Sequence, residues 1–154
     1  MHAPTSSPPP RPRVLVASRD QVFARSLKAS LESKGADVQL WEGAAAARAD
    51  GAQLEGVDVL LIETHGLGEA DASVVERVRE HSPLIEIVAI SEDPPVESAV
   101  QALRSGIYTL LAYPVSDDQI LDAIRAATSR KRRGEERIRA LETSPTTSDS
   151  PRRR

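Results

Sequence analysis

The sequence predicts an α/β protein, a doubly wound parallel sheet of five strands with helices on both faces. Short apolar runs at residues 14–17, 38–40, 58–62, 85–90 and 109–112 recur along the chain. Between them lie stretches with apolar residues at helical spacing, and strand–helix alternation of this kind builds parallel sheets sandwiched by helices. The composition agrees: 40% of the 154 residues are hydrophobic and 28% charged, ordinary for one soluble globular domain. One Trp and one Phe leave the core to Val, Leu, Ile and Ala.

Taken in order, Val14, Leu15, Val16 and Ala17 suit a strand buried on both faces. Asp20 can cap a helix whose Phe23, Leu27 and Leu31 share a face, and Gly35 stops it in the usual position after the last turn. Val38 and Leu40 alternate with polar residues in an edge-ward second strand, and residues 44–49 form an alanine-rich helix with a weak apolar face. Asp58, Val59, Leu60, Leu61 and Ile62 make the third and most apolar strand. After a loop at residues 66–68, Val74, Val75 and Val78 line the next helix; Ile85 and residues 87–90 make the fourth strand. Pro94 and Pro95 begin a helix with Val96, Ala99, Val100 and Leu103 at helical spacing, and Gly106 ends it. Residues 109–112 are the fifth strand, broken by Pro114. Ser116 or Asp117 then caps a last helix carrying Ile120, Leu121 and Ile124.

Right-handed crossovers leave few topologies for such a chain, and the flavodoxin-like order 2-1-3-4-5 is the expected one. Its sites lie at the carboxyl ends of the strands, which directs attention to Ser18-Arg19-Asp20, Glu63-Thr64-His65, Ser91-Glu92-Asp93 and Tyr113-Pro114. Enzyme motifs are missing there. The first turn has no Gly to cradle a phosphate, no Gly-x-Ser-x-Gly elbow occurs, and no His pair has metal-ligand spacing. His65 reads as a solvated loop residue, and Ser91 has no base near it in sequence. No enzymatic activity, metal or cofactor is expected.

The chain contains no Cys, so disulfides and thiolate chemistry are excluded. No window approaches eighteen apolar residues, and the first residues lack the apolar core of a secretory signal; a cytoplasmic protein is expected. Residues 1–12, with five Pro, and residues 143–154, rich in Ser, Thr, Pro and Arg, are expected to be disordered around a domain at 13–127 and a basic helical extension at 128–142. Net charge is −3 overall but uneven: −10 over residues 14–127 and +5 over 128–154. An acidic body repels phosphates, so nucleic acid is an unfavoured partner; the basic tail is expected to lie against that body or to end a solvated helix.

At this point the chain resembles the receiver domain of bacterial two-component response regulators, over about residues 13–127. Val14 to Ala17, Asp20, Leu27, Leu31 and Gly35 fall on the family's opening pattern without a gap. By this resemblance Glu63 takes the phosphoacceptor position, while Ser18, Arg19 and Asp20 take the acidic pocket. Ser91 takes the hydroxyl position, Leu110 the aromatic switch position, and Tyr113-Pro114 the Lys-Pro pair, whose peptide bond is expected to be cis. The family's chemistry needs Mg²⁺ held by carboxylates. Here Ser18 removes one negative charge from that site and Arg19 reverses another. Glu63 displaces the carboxylate by about 1.5 Å, and Tyr113 carries no charge at neutral pH.

The resemblance therefore implies a stand-alone, phosphorylation-independent pseudo-receiver. Three states of Glu63 are open: locked by an Arg19 ion pair, mimicking a phosphorylated Asp, or drifted without function. Function would then lie in a surface, the face of the fourth helix, fifth strand and fifth helix, with Arg104, Ile107, Tyr108 and Thr109 as contacts. A kinase, motility or scaffold protein, or a second copy, would dock there. The alternatives are a working single-domain phosphoacceptor that needs Mg²⁺, and a nucleic-acid-associated regulator acting through the basic tail.

Overall fold

The structure is a computed structural model, and it describes residues 10–41, 51–64 and 69–143. The expected helix at 44–49, His65, the 66–68 loop and most of both expected disordered ends lie outside the described residues. Five strands, β1 (Arg13–Ala17), β2 (Asp37–Trp41), β3 (Val59–Thr64), β4 (Glu86–Ser91) and β5 (Thr109–Ala112), form one sheet in the order β2-β1-β3-β4-β5. Every neighbouring pair is parallel. The described helices are α1 (Gln21–Ser33), α2 (Gly51–Leu54), α3 (Glu69–His81), α4 (Val96–Arg104) and α5 (Asp117–Thr143). The predicted fold class and strand order are those observed.

Strand alternation divides the core in two. Val14, Val16, Val59, Leu61, Val88 and Ile90 face Leu27 and Leu31 of α1 and Ile120 and Ile124 of α5. Leu15, Leu60, Ile62, Ile87 and Ala89 face the other way, toward Leu54, Val75, Val78 and Ala102. The central strands are buried on both sides, which is why they are nearly continuous runs of Val, Leu and Ile. Trp41 is fully buried in the second layer, and its indole N–H donates to Gln53 Oε1.

Local signals set the boundaries. The Asp20 carboxylate accepts the Phe23 N–H at 3.0 Å and starts α1. Gly35 follows its last turn at φ +105°, a conformation in which a side chain would be strained. Ser116 and Gln119 form a reciprocal cap at the start of α5: Ser116 Oγ accepts the Gln119 N–H, and Gln119 Oε1 accepts the Ser116 N–H. The Tyr113–Pro114 bond is cis, as expected.

Three details differ from expectation. β3 starts at Val59, because the Asp58 carboxylate turns away to accept the Arg13 N–H at 2.9 Å, and it continues through Thr64. Ile85 is buried but precedes the β4 ladder, which begins at Glu86. Pro94 lies outside α4; Pro95 occupies its N-cap position with an extended ψ of 145°.

No break separates residues 127 and 128. α5 runs unbroken for 27 residues through Gly134, about 40 Å at 1.5 Å per residue. Among the described residues no helix is long and apolar enough to cross a membrane.

Candidate functional site

The sheet register gathers the predicted residues at one edge. Ala17 is level with Ile62, Thr64 with Ser91, and Ser91 with Ala112, so Ser18, Glu63, Ser91 and Tyr113 all lie at the carboxyl ends of their strands. Glu63 is half-buried and is held by two hydroxyls. Ser18 Oγ–H donates to Oε1, and Tyr113 O–H donates to Oε2 at 2.9 Å. Ser18 Oγ in turn accepts the Asp20 N–H at 2.9 Å, which ties the clasp to the cap of α1. The Tyr113 ring meets Phe23 edge-on, with centroids 6.1 Å apart. Burial pushes the Tyr113 phenol well above the ordinary tyrosine range, and the hydrogen bond to the Glu63 carboxylate adds to the rise.

The Arg19–Glu63 ion pair, one of the three states left open for Glu63, does not form. Arg19 is exposed, and Ser18 takes the position that reaches the carboxylate. Strand alternation explains this and could have predicted it. Residues 14 and 16 share a face with 59 and 61, so continuing both runs by two residues brings 18, not 19, beside 63. The extra methylene of Glu63 lengthens its reach toward these hydroxyls by about 1.5 Å.

These residues do not fit the divalent ion that the resemblance implies. Both oxygens of Glu63 accept hydroxyl hydrogens, and the Asp20 carboxylate caps α1. Among the described residues no group of three or more carboxylates and histidines could hold a metal. Ser91 is completely buried at the end of β4, and Leu110 packs against the α2–α4 layer. The clasp is one carboxylate whose two oxygens each accept a hydroxyl hydrogen.

The expected partner face is only partly a surface. Arg104 is exposed and Thr109 half-exposed, but Ile107 is 7% exposed and belongs to the core under α4. Tyr108 is half-buried and lies beneath Arg130, whose guanidinium carbon is 5.4 Å from the ring centroid.

The basic run of α5 meets the acidic body, as the uneven charge suggested, and is no solvated helix end. Lys131 is 8% exposed and reaches Asp58 at 3.3 Å and Glu135 at 2.8 Å. Arg132 reaches the other oxygen of Asp58 at 2.9 Å, and Arg130 reaches Glu86 at 3.2 Å. Arg79 approaches Glu86 from the opposite side at 3.9 Å and donates to the Ile85 and Gly106 carbonyls. Sequence reasoning missed this network. Its signal was Asp58 and Glu86, two carboxylates at the entrances to the most apolar strands.

No family model matches the chain, and no curated protein matches it. Solved structures do. A structure described as an adenylate cyclase from Rhodopirellula baltica aligns at a TM-score of 0.77 and 19% identity, covering 87% of this chain and 99% of that one. A response regulator receiver domain protein from Clostridium thermocellum aligns at 0.70 and 18% identity, covering 79% and 97%. The receiver domain of a Francisella response regulator aligns at 0.65 and 23% identity, covering 78% and 98%. The chain has the fold of response regulator receiver domains.

Proposed function

We propose that this protein is a cytoplasmic, receiver-like signalling module whose state is not set by phosphorylation and which acts by binding another protein of a two-component pathway. One observation carries the reading: both oxygens of Glu63, at the phosphoacceptor position, are taken by Ser18 and Tyr113. A phosphoryl group or its metal would have to displace both hydroxyls, and the charge that draws a metal there is reduced by Ser18 and Arg19. Tyr113 also replaces the family's cation with a neutral donor, so the closed arrangement of the pocket is permanent. It is locked by hydroxyls rather than by an arginine. The module has no enzymatic activity and no cofactor of its own. Its partner contact lies on the α4–β5–α5 face, where Arg104 and Thr109 stay accessible.

The test is an amide NMR titration with Mg²⁺ followed by beryllofluoride. The expected result is no localised shift at residues 18–20, 63 or 91 at millimolar Mg²⁺, and none on adding beryllofluoride. Saturable shifts there, spreading to Leu110 and α5, would overturn the proposal and make the protein a working phosphoacceptor.

A further inference from the structure

We propose that the groove at the opposite end of the sheet from Glu63, between α5 and the loops entering β4 and β5, binds a phosphoanion of nucleotide size. It has a volume of about 800 Å³, within the range of small-molecule sites. Its basic wall is Arg130, Lys131, Arg133 and Arg137 of α5, with Arg79 of α3 facing them.

Internal pairing accounts for only part of this charge. Lys131 is spent on Asp58 and Glu135, Arg132 on Asp58, and Glu86 is shared by Arg79 and Arg130. Arg133 and Arg137 take part in no ion pair among the described residues, and both are exposed. They stand four residues apart, on one side of the helix, and Arg130 lies one turn before them. The groove is thus a local positive field on a body whose residues 14–127 carry −10, so an anion is drawn here and repelled elsewhere.

The guanidinium fork fixes the chemistry. Several arginines converging on an open site favour bidentate contacts to phosphate oxygens. From Arg130 to Arg137 the helix rises about 10 Å, the length of a di- or triphosphate with its sugar rather than of a nucleic-acid strand. No aromatic residues interleave the arginines, which also argues against a strand-binding track. Leu84, Leu103 and the Tyr108 edge line the apolar side, where a nucleobase can lie.

Calorimetry and arginine side-chain NMR with pyrophosphate, ATP and GTP, without Mg²⁺, test this. Saturable one-to-one binding is expected, with shifts at Arg130, Arg133 and Arg137. R133A and R137A should each weaken it about tenfold with unchanged circular dichroism, and R133K/R137K should restore only part. Equal affinity for pyrophosphate and nucleotides supports a site that reads the phosphate chain alone; tighter nucleotide binding supports a base contact. No saturable binding at millimolar ligand, or binding unaffected by these variants, overturns the proposal. So does tighter binding of an oligonucleotide or an acidic peptide lost in the same variants. Shifts at residues 18, 63 and 91 instead would count against the closed pocket and not for this groove.

Discussion

Tyr113 shows how one side chain decides what a strand end can do. A lysine there would bring a mobile charge; the phenol brings a fixed, neutral donor wedged between Phe23 and Glu63. Its raised pKa has a definite sign. The fold favours the protonated phenol, so its stabilisation is complete below the ordinary value of about 10 and declines only as pH rises past it. Tyrosinate absorbance should therefore reveal a phenol that ionises only at higher alkalinity and disappears in Tyr113→Phe. The same variant leaves a carboxylate oxygen short of a donor and should cost about 1.5 kcal/mol in urea unfolding. Thr128 is the opposite case. Its hydroxyl is buried with no hydrogen-bond partner, inside α5. Thr128→Val removes that cost at nearly equal volume and should raise stability by about 1 kcal/mol; an unchanged or lower midpoint would mean the hydroxyl has a partner. At this scale the sequence was legible where position alone decides, as for Glu63, Gly35 and Asp20. It misled where direction decides: Ser18 and Arg19 both end β1, but only the pleat selects Ser18.

At the scale of elements, α5 is where sequence and structure part. Its first half was readable from Ile120, Leu121 and Ile124, but the basic run that follows looks like any solvated helix end. What makes it structural is tertiary: the entrances to β3 and β4 place Asp58 and Glu86 beneath it. Removing the shared acceptor should therefore cost more than removing one donor. Asp58→Ala strands the Arg13 N–H and leaves Lys131 and Arg132 without their common partner, an expected loss of about 3 kcal/mol. Lys131→Met, which leaves Arg132 on Asp58, should cost clearly less, and urea melts of the two would rank them. Glu86 adds a pH dependence. Burial raises its pKa, and Arg130 and Arg79 pull it only part of the way back. A carboxyl whose folded pKa exceeds the unfolded one of about 4.3 stabilises the fold fully below that value, and loses the contribution as pH rises through the folded one. Arg130→Ala raises the folded pKa further, so its destabilisation should grow from about pH 4 to pH 7. It should vanish in a Glu86→Gln background; a penalty independent of pH would assign Arg130 to its stacking on Tyr108 instead.

At the scale of the molecule, the two ends of the sheet carry different chemistry. The carboxyl end is a clasp of hydroxyls around one carboxylate, while the amino end holds buried carboxylates under a row of cations. The composition announced this only as a sum, −10 over the body against +5 over the tail; where the two signs meet depends on α5 continuing past Ala127 as far as Arg132. The ion pairs made there pair the Asp58 and Glu86 carboxylates that this stretch of helix helps to cover. A chain ending at Ala127 keeps every strand and both hydrophobic layers, yet takes both cationic partners from Asp58, which is 4% exposed under the full helix, and leaves Glu86 with Arg79 alone. Water then reaches both carboxylates, so the loss against a chain ending at Thr143 should be at most about 3 kcal/mol, still a large share of the roughly 5–15 kcal/mol typical of a domain. Asp58→Asn with Glu86→Gln separates charge from packing. If uncompensated charge is the cause, the pair should recover most of the loss in the short chain and be destabilising in the long one. Equal effects in both lengths would make residues 128–143 an appendage, and the cations above Asp58 incidental to the fold.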